Sequence, residues 1–222
     1  MTIAPPESQA VLLARAEALA GRDLAWLAGE LGVAVPDDLR RDKGWIGNLL
    51  ELALGATAGS RAEPDFPHLG VEMKTLPVDA RGRPRESTYV CTAPLDGSIA
   101  RSWEDAWVRH KLARVLWIPI LGDGHPGERI IGAPLLWSPS AEEEAVLKAD
   151  WTALTEAIGL GETWQLEARK GKALQLRPKA AHAREMTWVI DDEGEWAQVN
   201  PRGFYLRASF TGSILKKHFA IG

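Results

Sequence analysis

Leu69-Gly70-Val71-Glu72-Met73-Lys74-Thr75-Leu76 reads as a short strand entered through a glycine. Successive side chains on a strand point to opposite faces, so Glu72 and Lys74 share one face and Val71 and Met73 the other. Just upstream, Asp65 lies between Pro64 and Phe66, where a turn can bring its carboxylate back to the strand. Glu51 stands farther upstream, on a predicted helix. Two or three carboxylates around one point hold a hard divalent cation such as Mg²⁺ through oxygen ligands. A lysine beside that cation can orient the attacking water or stabilise charge developing on a phosphate. That combination is a nuclease constellation, although Glu-x-Lys alone also describes a solvated charge pair.

Working outward toward the N-terminus, Ile46, Leu49, Leu50, Ala53 and Leu54 recur at helical spacing and predict a buried stripe. Glu51 falls off that stripe. Asp42 is placed to cap this helix, and Lys43 and Gly44 stand at its start, where free backbone N–H groups and a lysine suit a phosphate oxygen. Gly55 to Ser60 is small and reads as a hinge or closing loop. Earlier still, Ser8 caps a helix carrying Val11, Leu12 and Leu19, and Asp23 opens another carrying Leu24, Leu27 and Leu31, closed by Gly32.

Toward the C-terminus, Asp79-Ala80-Arg81-Gly82 predicts a turn, and Ser87 to Thr92 a β-branched strand returning as an antiparallel hairpin. Arg81, Arg83 and Arg85 make its tip basic, either to touch DNA or to keep a loop soluble. Ser102 is expected to cap a helix bearing Trp103, Ala106 and Trp107, which delivers Arg109, His110 and Lys111. Val115 to Ile120 has the apolar character of a central strand, ended by Pro119, and Ile130 to Trp137 that of a strand interrupted by Pro134. Ser140 with Glu143 forms a capping-box pattern for a long acidic helix to about Ile158. Trp164 to Ala168 and Ala173 to Arg177 are expected to form a hairpin around Lys170-Gly171. Residues 186–199 read as a variable loop, and Phe210 to Ile221 as a final helix.

A chain of 222 residues with 45% hydrophobic content can bury a core as one domain or two closely joined lobes. Its one cysteine, Cys91, excludes an internal disulfide and suits a reducing compartment. No apolar run approaches the roughly 18 residues that would span a bilayer. The N-terminus lacks a charged segment followed by an apolar one, so a cytoplasmic protein is expected. The net charge of −4 argues against a uniformly basic surface. Basic residues nevertheless gather without carboxylates at 169–179 (Arg169, Lys170, Lys172, Arg177, Lys179) and at 201–222 (Arg202, Arg207, Lys216, Lys217). The histidines lack zinc spacing, and no phosphate-loop motif is present, so any ATP dependence would come from a partner.

Six runs carry a resemblance: Arg41-Asp42-Lys43-Gly44-Trp45-Ile46-Gly47, Leu69 to Asp79, Val108-Arg109-His110-Lys111-Leu112, Leu116-Trp117-Ile118-Pro119, Arg177-Pro178-Lys179-Ala180-Ala181 and Pro201-Arg202-Gly203-Phe204-Tyr205-Leu206. Together, in this order and from about residue 8 to the C-terminus, they resemble the MutH family of methyl-directed mismatch-repair endonucleases, within the restriction-endonuclease-like superfamily. The resemblance implies an α/β fold, a mixed sheet flanked by helices, with two lobes around a DNA-binding cleft. It implies one endonuclease domain over residues 1–222, the catalytic lobe mainly within 8–120 and the DNA-recognition lobe mainly within 121–222.

By the same resemblance Glu51, Asp65, Glu72, Lys74 and Lys111 are catalytic. Asp65 and Glu72 would hold one or two Mg²⁺ ions, for which Mn²⁺ or Ca²⁺ could substitute in binding. Lys43, Gly44, Tyr89, Arg177, Pro178, Lys179 and Tyr205 would contact DNA. Arg177 and Pro178 belong to a loop that reads GATC, Lys179 meets a phosphate, and Tyr205 lies against the adenine whose methylation is sensed. Ala113 departs from the pattern where another basic residue is expected. The implied activity is nicking of the unmethylated strand at hemimethylated GATC sites, by a monomer acting on double-stranded DNA away from any membrane. MutL would activate it in an ATP-linked step, MutS acting indirectly, and the protein would be nucleoid-associated when active. A stand-alone GATC restriction endonuclease and a catalytically silent DNA-binding module are the other readings.

Overall fold

Three helices begin the chain. Ser8 accepts the Val11 amide and starts α1 (Gln9–Leu19), and Asp23 accepts the Trp26 amide and starts α2 (Leu24–Leu31), which Gly32 ends in the left-handed conformation. The third, α3 (Trp45–Leu54), corrects the expected cap. Its N-cap is Gly44 at φ +94°, a backbone state that other residues rarely adopt, and no side chain caps it. Asp42 contributes its backbone carbonyl to the Trp45 amide instead. The computed structural model that shows this describes residues 3–59, 61, 63–96, 98, 100–160, 171–179, 186–190 and 193–219.

Two units divide the chain: Met1–Arg85, Ala113–Ser138 and Leu215–Gly222 form the first, Glu86–Leu112 and Pro139–Ile214 the second. Residues 86–112 therefore belong with the later part of the chain, and residues 113–138 with the earlier part.

The first unit is built on a mixed four-stranded sheet. Strand β1 (Glu72–Val78) pairs in parallel with β3 (Val115–Leu121), whose other side meets β4 (Ile130–Ile131) and β5 (Leu135–Trp137) in antiparallel fashion. The chain reaches β1 through a helical turn at Pro67–Leu69, so the strand begins three residues later than the sequence pattern placed it. Val71 and Met73 turn with Leu116, Ile118 and Ile120 onto one face, where Leu12, Leu24, Ile46, Leu49, Leu50 and Leu54 of the three helices cover them. Burying such side chains supplies about 1.5–3 kcal/mol each. Glu72 and Lys74 stand on the opposite face, level with Val115 and Trp117 of β3.

Proline does not end β3. Pro119 lies within it, opposite the gap between β5, which pairs with Val115–Trp117, and β4, which pairs with Ile120–Leu121. A missing N–H costs a ladder bond only where a partner strand offers a carbonyl. Here the Pro119 carbonyl takes the Gly132 amide from the connection between the two short strands.

The hairpin expected between β1 and the following strand is also corrected. It stops after a single bridge, Val78 to Pro84, flanked by bonds from the Arg85 amide to Pro77 and from the Asp79 amide to Arg83. Asp79 secures the turn by accepting the Arg81 and Arg83 amides at 2.8 and 2.9 Å. Two of the three basic residues at the tip are tied to acids, Arg83 to Asp79 and Arg85 to Asp123. Pro84 has no amide with which to continue the ladder, and the chain leaves for the second unit.

There β2 (Thr88–Ala93) pairs with β9 (Arg202–Leu206), and β9 with β6 (Leu174–Pro178), in an antiparallel sheet. The helix expected from Ser102 is shorter: Ser102 and Asp105 close a turn, and α4 (Trp107–Leu112) follows it. Helix α5 (Ala141–Gly159) carries the complete capping box of Ser140 and Glu143. Where a variable loop was expected, β7 (Thr187–Ile190) pairs in antiparallel fashion with β8 (Trp196–Val199). The final helix, α6, spans Ala208–Phe219. The hairpin expected around Lys170 falls outside the described residues on its first arm, while its second arm is β6, paired with β9. No described helix is long and apolar enough to cross a membrane.

Candidate functional site

The first cluster grows from the open edge of β1. The Glu72 amide points to β3, where it meets the Arg114 carbonyl, so the next amide, that of Met73, points away from the sheet. Asp65 Oδ2 accepts it at 2.7 Å. The carboxylate of Asp65 is thereby fixed at the peptide joining Glu72 to Met73, held by the bridge between Phe66 and Val71. The Asp65 carbonyl in turn takes the Thr57 and Ala58 amides, which ties the segment after α3 to the same point. Gly55 to Ser60, expected as a hinge, is anchored there at Thr57 and Ala58. Glu51 is half-buried on α3, its carbonyl accepting the Gly55 and Ala56 amides at the start of that segment.

On the face turned from the helices, Lys74 Nζ donates to Glu72 Oε1 at 3.0 Å, with the two side chains only 10% and 6% exposed. A pair this buried has lost most of its hydration. Its Coulomb attraction offsets that cost only with good geometry, and apolar replacements are often as stable. Such a pair therefore points to a use other than stability.

Among the described residues no three histidine, cysteine or carboxylate side chains gather into a ready metal cage. Mg²⁺ does not require one, since it keeps several waters and takes one or two carboxylates together with phosphate oxygens of the substrate. Asp65 and Glu72, hard oxygen donors brought to one peptide, fit that mode. Lys43 is exposed beside Gly44 at the head of α3.

A second cluster lies in the second unit, on one face of the β2–β9–β6 sheet. Tyr89 is opposite Tyr205 and Gln175 is opposite it on the other side, while Gly203 lies between Thr92 and Arg177. The two tyrosine rings meet edge to face at 5.3 Å. Arg177 lies over the Tyr205 ring at 5.7 Å and Lys179 over the Tyr89 ring at 4.7 Å. Cations over aromatic faces are attracted by the ring quadrupole. Arg177, Pro178 and Lys179 are exposed at the end of β6 and beyond it. Burial first, then Tyr89, push the Tyr205 hydroxyl above its ordinary pKa, against the pull of Arg177 and Lys179, so the phenol is neutral at physiological pH.

Thus Asp65, Glu72 and Lys74 come together in the first unit, and Tyr89, Arg177, Lys179 and Tyr205 in the second. Lys111 is half-buried on α4 of the second unit, 5.6 Å from the Trp107 ring. Sequence reasoning passed over Ser87 and Thr92, which accept hydrogen bonds from Arg177 and Lys179. Their signal, short hydroxyl residues on a strand beside Tyr89, becomes legible only when β9 is known to lie between β2 and β6.

A family profile described as "DNA mismatch repair enzyme MutH" matches residues 54–150, which include Asp65, Glu72, Lys74, Tyr89 and Lys111. The chain is 52% identical over 219 residues to the DNA mismatch repair protein MutH of Shewanella baltica strain OS155, covering 98% of each chain. Against the protein of that name from Shewanella oneidensis it is 51% identical over 220 residues, covering 98% of this chain and 99% of the relative. A mixed sheet flanked by helices is the restriction-endonuclease-like α/β architecture. With identity at this level running through almost its whole length, the chain belongs to the MutH family of DNA mismatch repair enzymes.

Proposed function

We propose that the protein is a Mg²⁺-dependent endonuclease of mismatch repair that nicks the unmethylated strand of hemimethylated GATC sites. The observation that carries this reading is the buried Glu72–Lys74 pair with Asp65 held at the adjoining peptide. Asp65 and Glu72 would hold the cation, and Mg²⁺, when bound, supplies Lewis-acid stabilisation of the phosphate and a more acidic water. Lys74, fixed by Glu72 against β3, holds its ammonium beside the reacting phosphate, where a preorganised positive charge favours the transition state over the ground state. Glu51 and Lys111 complete the proposed catalytic set, and Lys43 and Gly44 contact a phosphate.

In the second unit Arg177 presents the fork that suits a guanine edge, Pro178 fixes the backbone beside it, and Lys179 offers a point charge to a phosphate. Tyr89 and Tyr205 supply a rigid aromatic floor. Activation by MutL, linked to its ATP cycle and through it to MutS, belongs to the same reading. So do action as a monomer on double-stranded DNA and a cytoplasmic location near the nucleoid.

The test is a strand-resolved cleavage assay on unmethylated, hemimethylated and fully methylated GATC duplexes, with and without Mg²⁺ and with MutL and ATP. Nicking confined to the unmethylated strand, stimulated by MutL and absent in Glu72→Gln, is the expected result. Cleavage of both strands without MutL would identify a stand-alone restriction enzyme. Specific binding without cleavage under every condition would identify a silent binding module.

A further inference from the structure

Ser87 and Thr92 take no part in the chemistry above, yet each accepts a hydrogen bond from one of the two cations at the end of β6. Lys179 Nζ donates to Thr92 Oγ1 at 2.8 Å, and the same oxygen lies 3.0 Å from the Tyr89 hydroxyl, either of those two being the donor. Arg177 Nη1 donates to Ser87 Oγ. All of these residues lie in one unit: Tyr89, Thr92 and Arg177 on the β2–β9–β6 sheet, Ser87 just before β2 and Lys179 just after β6.

The face shared by Tyr89 and Thr92 depends on an irregularity. In a regular strand Tyr89 and Thr92, three residues apart, would point to opposite faces. The register of β2 against β9 shifts between Tyr89 and Cys91: Tyr89 faces Tyr205, Cys91 faces Phe204 and Thr92 faces Gly203. Val90 is the extra residue of a β-bulge, and a bulge re-aims the side chains that follow it. Cys91 goes to the buried side with Phe204 and Leu176, while Thr92 is turned out beside Tyr89. Gly203 makes room beneath the rings: a Cβ there would come within 2.8 Å of Tyr89 Cε2 and 3.2 Å of Tyr205 Cε2.

We propose that Ser87 and Thr92 are positioning residues, whose hydroxyls hold Arg177 and Lys179 in place before a duplex arrives. The inference rests on the reading of Arg177 and Lys179 as DNA contacts. Long cationic side chains lose rotamer freedom when a ligand immobilises them, and ordering them in the free protein removes that cost from binding. A hydroxyl has the appropriate strength for the task. It holds the cation through a neutral acceptor, which an anionic phosphate outcompetes, whereas a carboxylate would neutralise the charge that DNA must meet.

The test measures equilibrium binding of the full chain to a GATC duplex and a scrambled duplex across a salt series. Thr92→Val keeps the shape and removes the hydroxyl; Thr92→Ser keeps the hydroxyl. Thr92→Val should weaken binding to both duplexes by about 3–10-fold and leave the slope of log K against log salt unchanged, because Lys179 still neutralises its phosphate in the complex. Thr92→Ser should restore the affinity, and Thr92→Val should add nothing to Lys179→Ala. Ser87→Ala should narrow the preference for GATC over scrambled DNA, and not in an Arg177→Ala background. A hydroxyl with only a structural role would lower thermal stability and leave affinity and coupling unmoved. Unchanged affinity in Thr92→Val, while Lys179→Ala weakens binding and flattens the slope, would overturn the positioning role alone. A normal slope in Lys179→Ala itself would overturn both the phosphate contact and the inference built on it.

Discussion

Lys74 Nζ pairs with Glu72 Oε1 at 3.0 Å, and both side chains are nearly excluded from water. Removing one member of such a pair leaves the other buried and uncompensated, at a cost of about 3–5 kcal/mol where burial is complete. Lys74→Met should therefore lose nicking by about 10²-fold or more, as when one preorganised donor is removed from an active site. It should also destabilise the protein without metal. On the proposed reading Mg²⁺ would bind the folded carboxylates and not the unfolded chain, so the ion should recover more stability in this variant than in the parent. Denaturant unfolding with and without Mg²⁺, alongside the nicking rate, checks both. A variant that lost activity but showed no larger response to Mg²⁺ would remove Glu72 from the proposed metal site.

Elements were legible where one local cause decides them. Ser8, Asp23 and the Ser140–Glu143 box each cap the helix their chemistry announces, and the stripe on α3 is buried at Ile46, Leu49, Leu50 and Leu54. Elements that depend on a distant partner were not: β2 pairs with β9, more than a hundred residues on, and Pro119 survives inside β3 because two short strands leave a gap opposite it. Asp150 belongs with these. It lies on the long acidic helix, yet it is 8% exposed and accepts the Lys172, Ala173 and Leu174 amides at 3.0, 2.6 and 2.9 Å. Asp150→Ala would strand buried donors at the entrance to β6, and should cost on the order of 3 kcal/mol or more. Amide exchange at Ala173 and Leu174 should accelerate ahead of β3, and uniform acceleration would count against a local clamp.

Glu144 ties α5 to α4 and to the turn before it by accepting from Arg109 Nε at 2.9 Å and Trp103 Nε1 at 3.2 Å. The Arg109 bond, then the Trp103 bond, hold its carboxyl below the ordinary glutamate range. A depressed folded-state pKa means stability present at neutral pH and lost as pH falls through that pKa. Both partners are more than a third exposed, so solvent screens the effect and it stays small. Glu144→Gln should lower the melting temperature slightly at pH 7, and the gap from the parent should close in acid. A gap that held constant with pH would assign the effect to packing.

Across the whole molecule the residues proposed for chemistry and for recognition fall in different units. The exceptions are Lys111, which lies in the second unit with Tyr89, Arg177 and Tyr205, and the proposed phosphate contacts Lys43 and Gly44, which lie in the first. Glu72 and Lys74 were legible as a pair because neighbours on a strand share faces by simple alternation, whereas Tyr89, Arg177 and Tyr205, on three different strands, were named only through the resemblance. The division was less legible, because each unit is assembled from separated segments. It follows that substrate preference should be alterable without touching the metal. Tyr205 offers the sharpest case, half-buried with its ring held by Tyr89 on one side and Arg177 over its face. An adenine N6-methyl group lies in the major groove on a donor that proteins read there. A ring braced in this way can accept the bare amine and exclude the methyl by contact, giving selectivity through rejection more than through added affinity. Tyr205→Ser should therefore narrow the ratio of nicking rates on unmethylated and fully methylated GATC, chiefly by raising the rate on methylated DNA relative to the other. Tyr89→Ala, which removes the brace and leaves the ring, should narrow it less. Initial rates on the two duplexes at matched Mg²⁺ measure the effect, and a ratio unchanged in Tyr205→Ser would leave that ring as part of the sheet's packing and place methyl sensing on another residue.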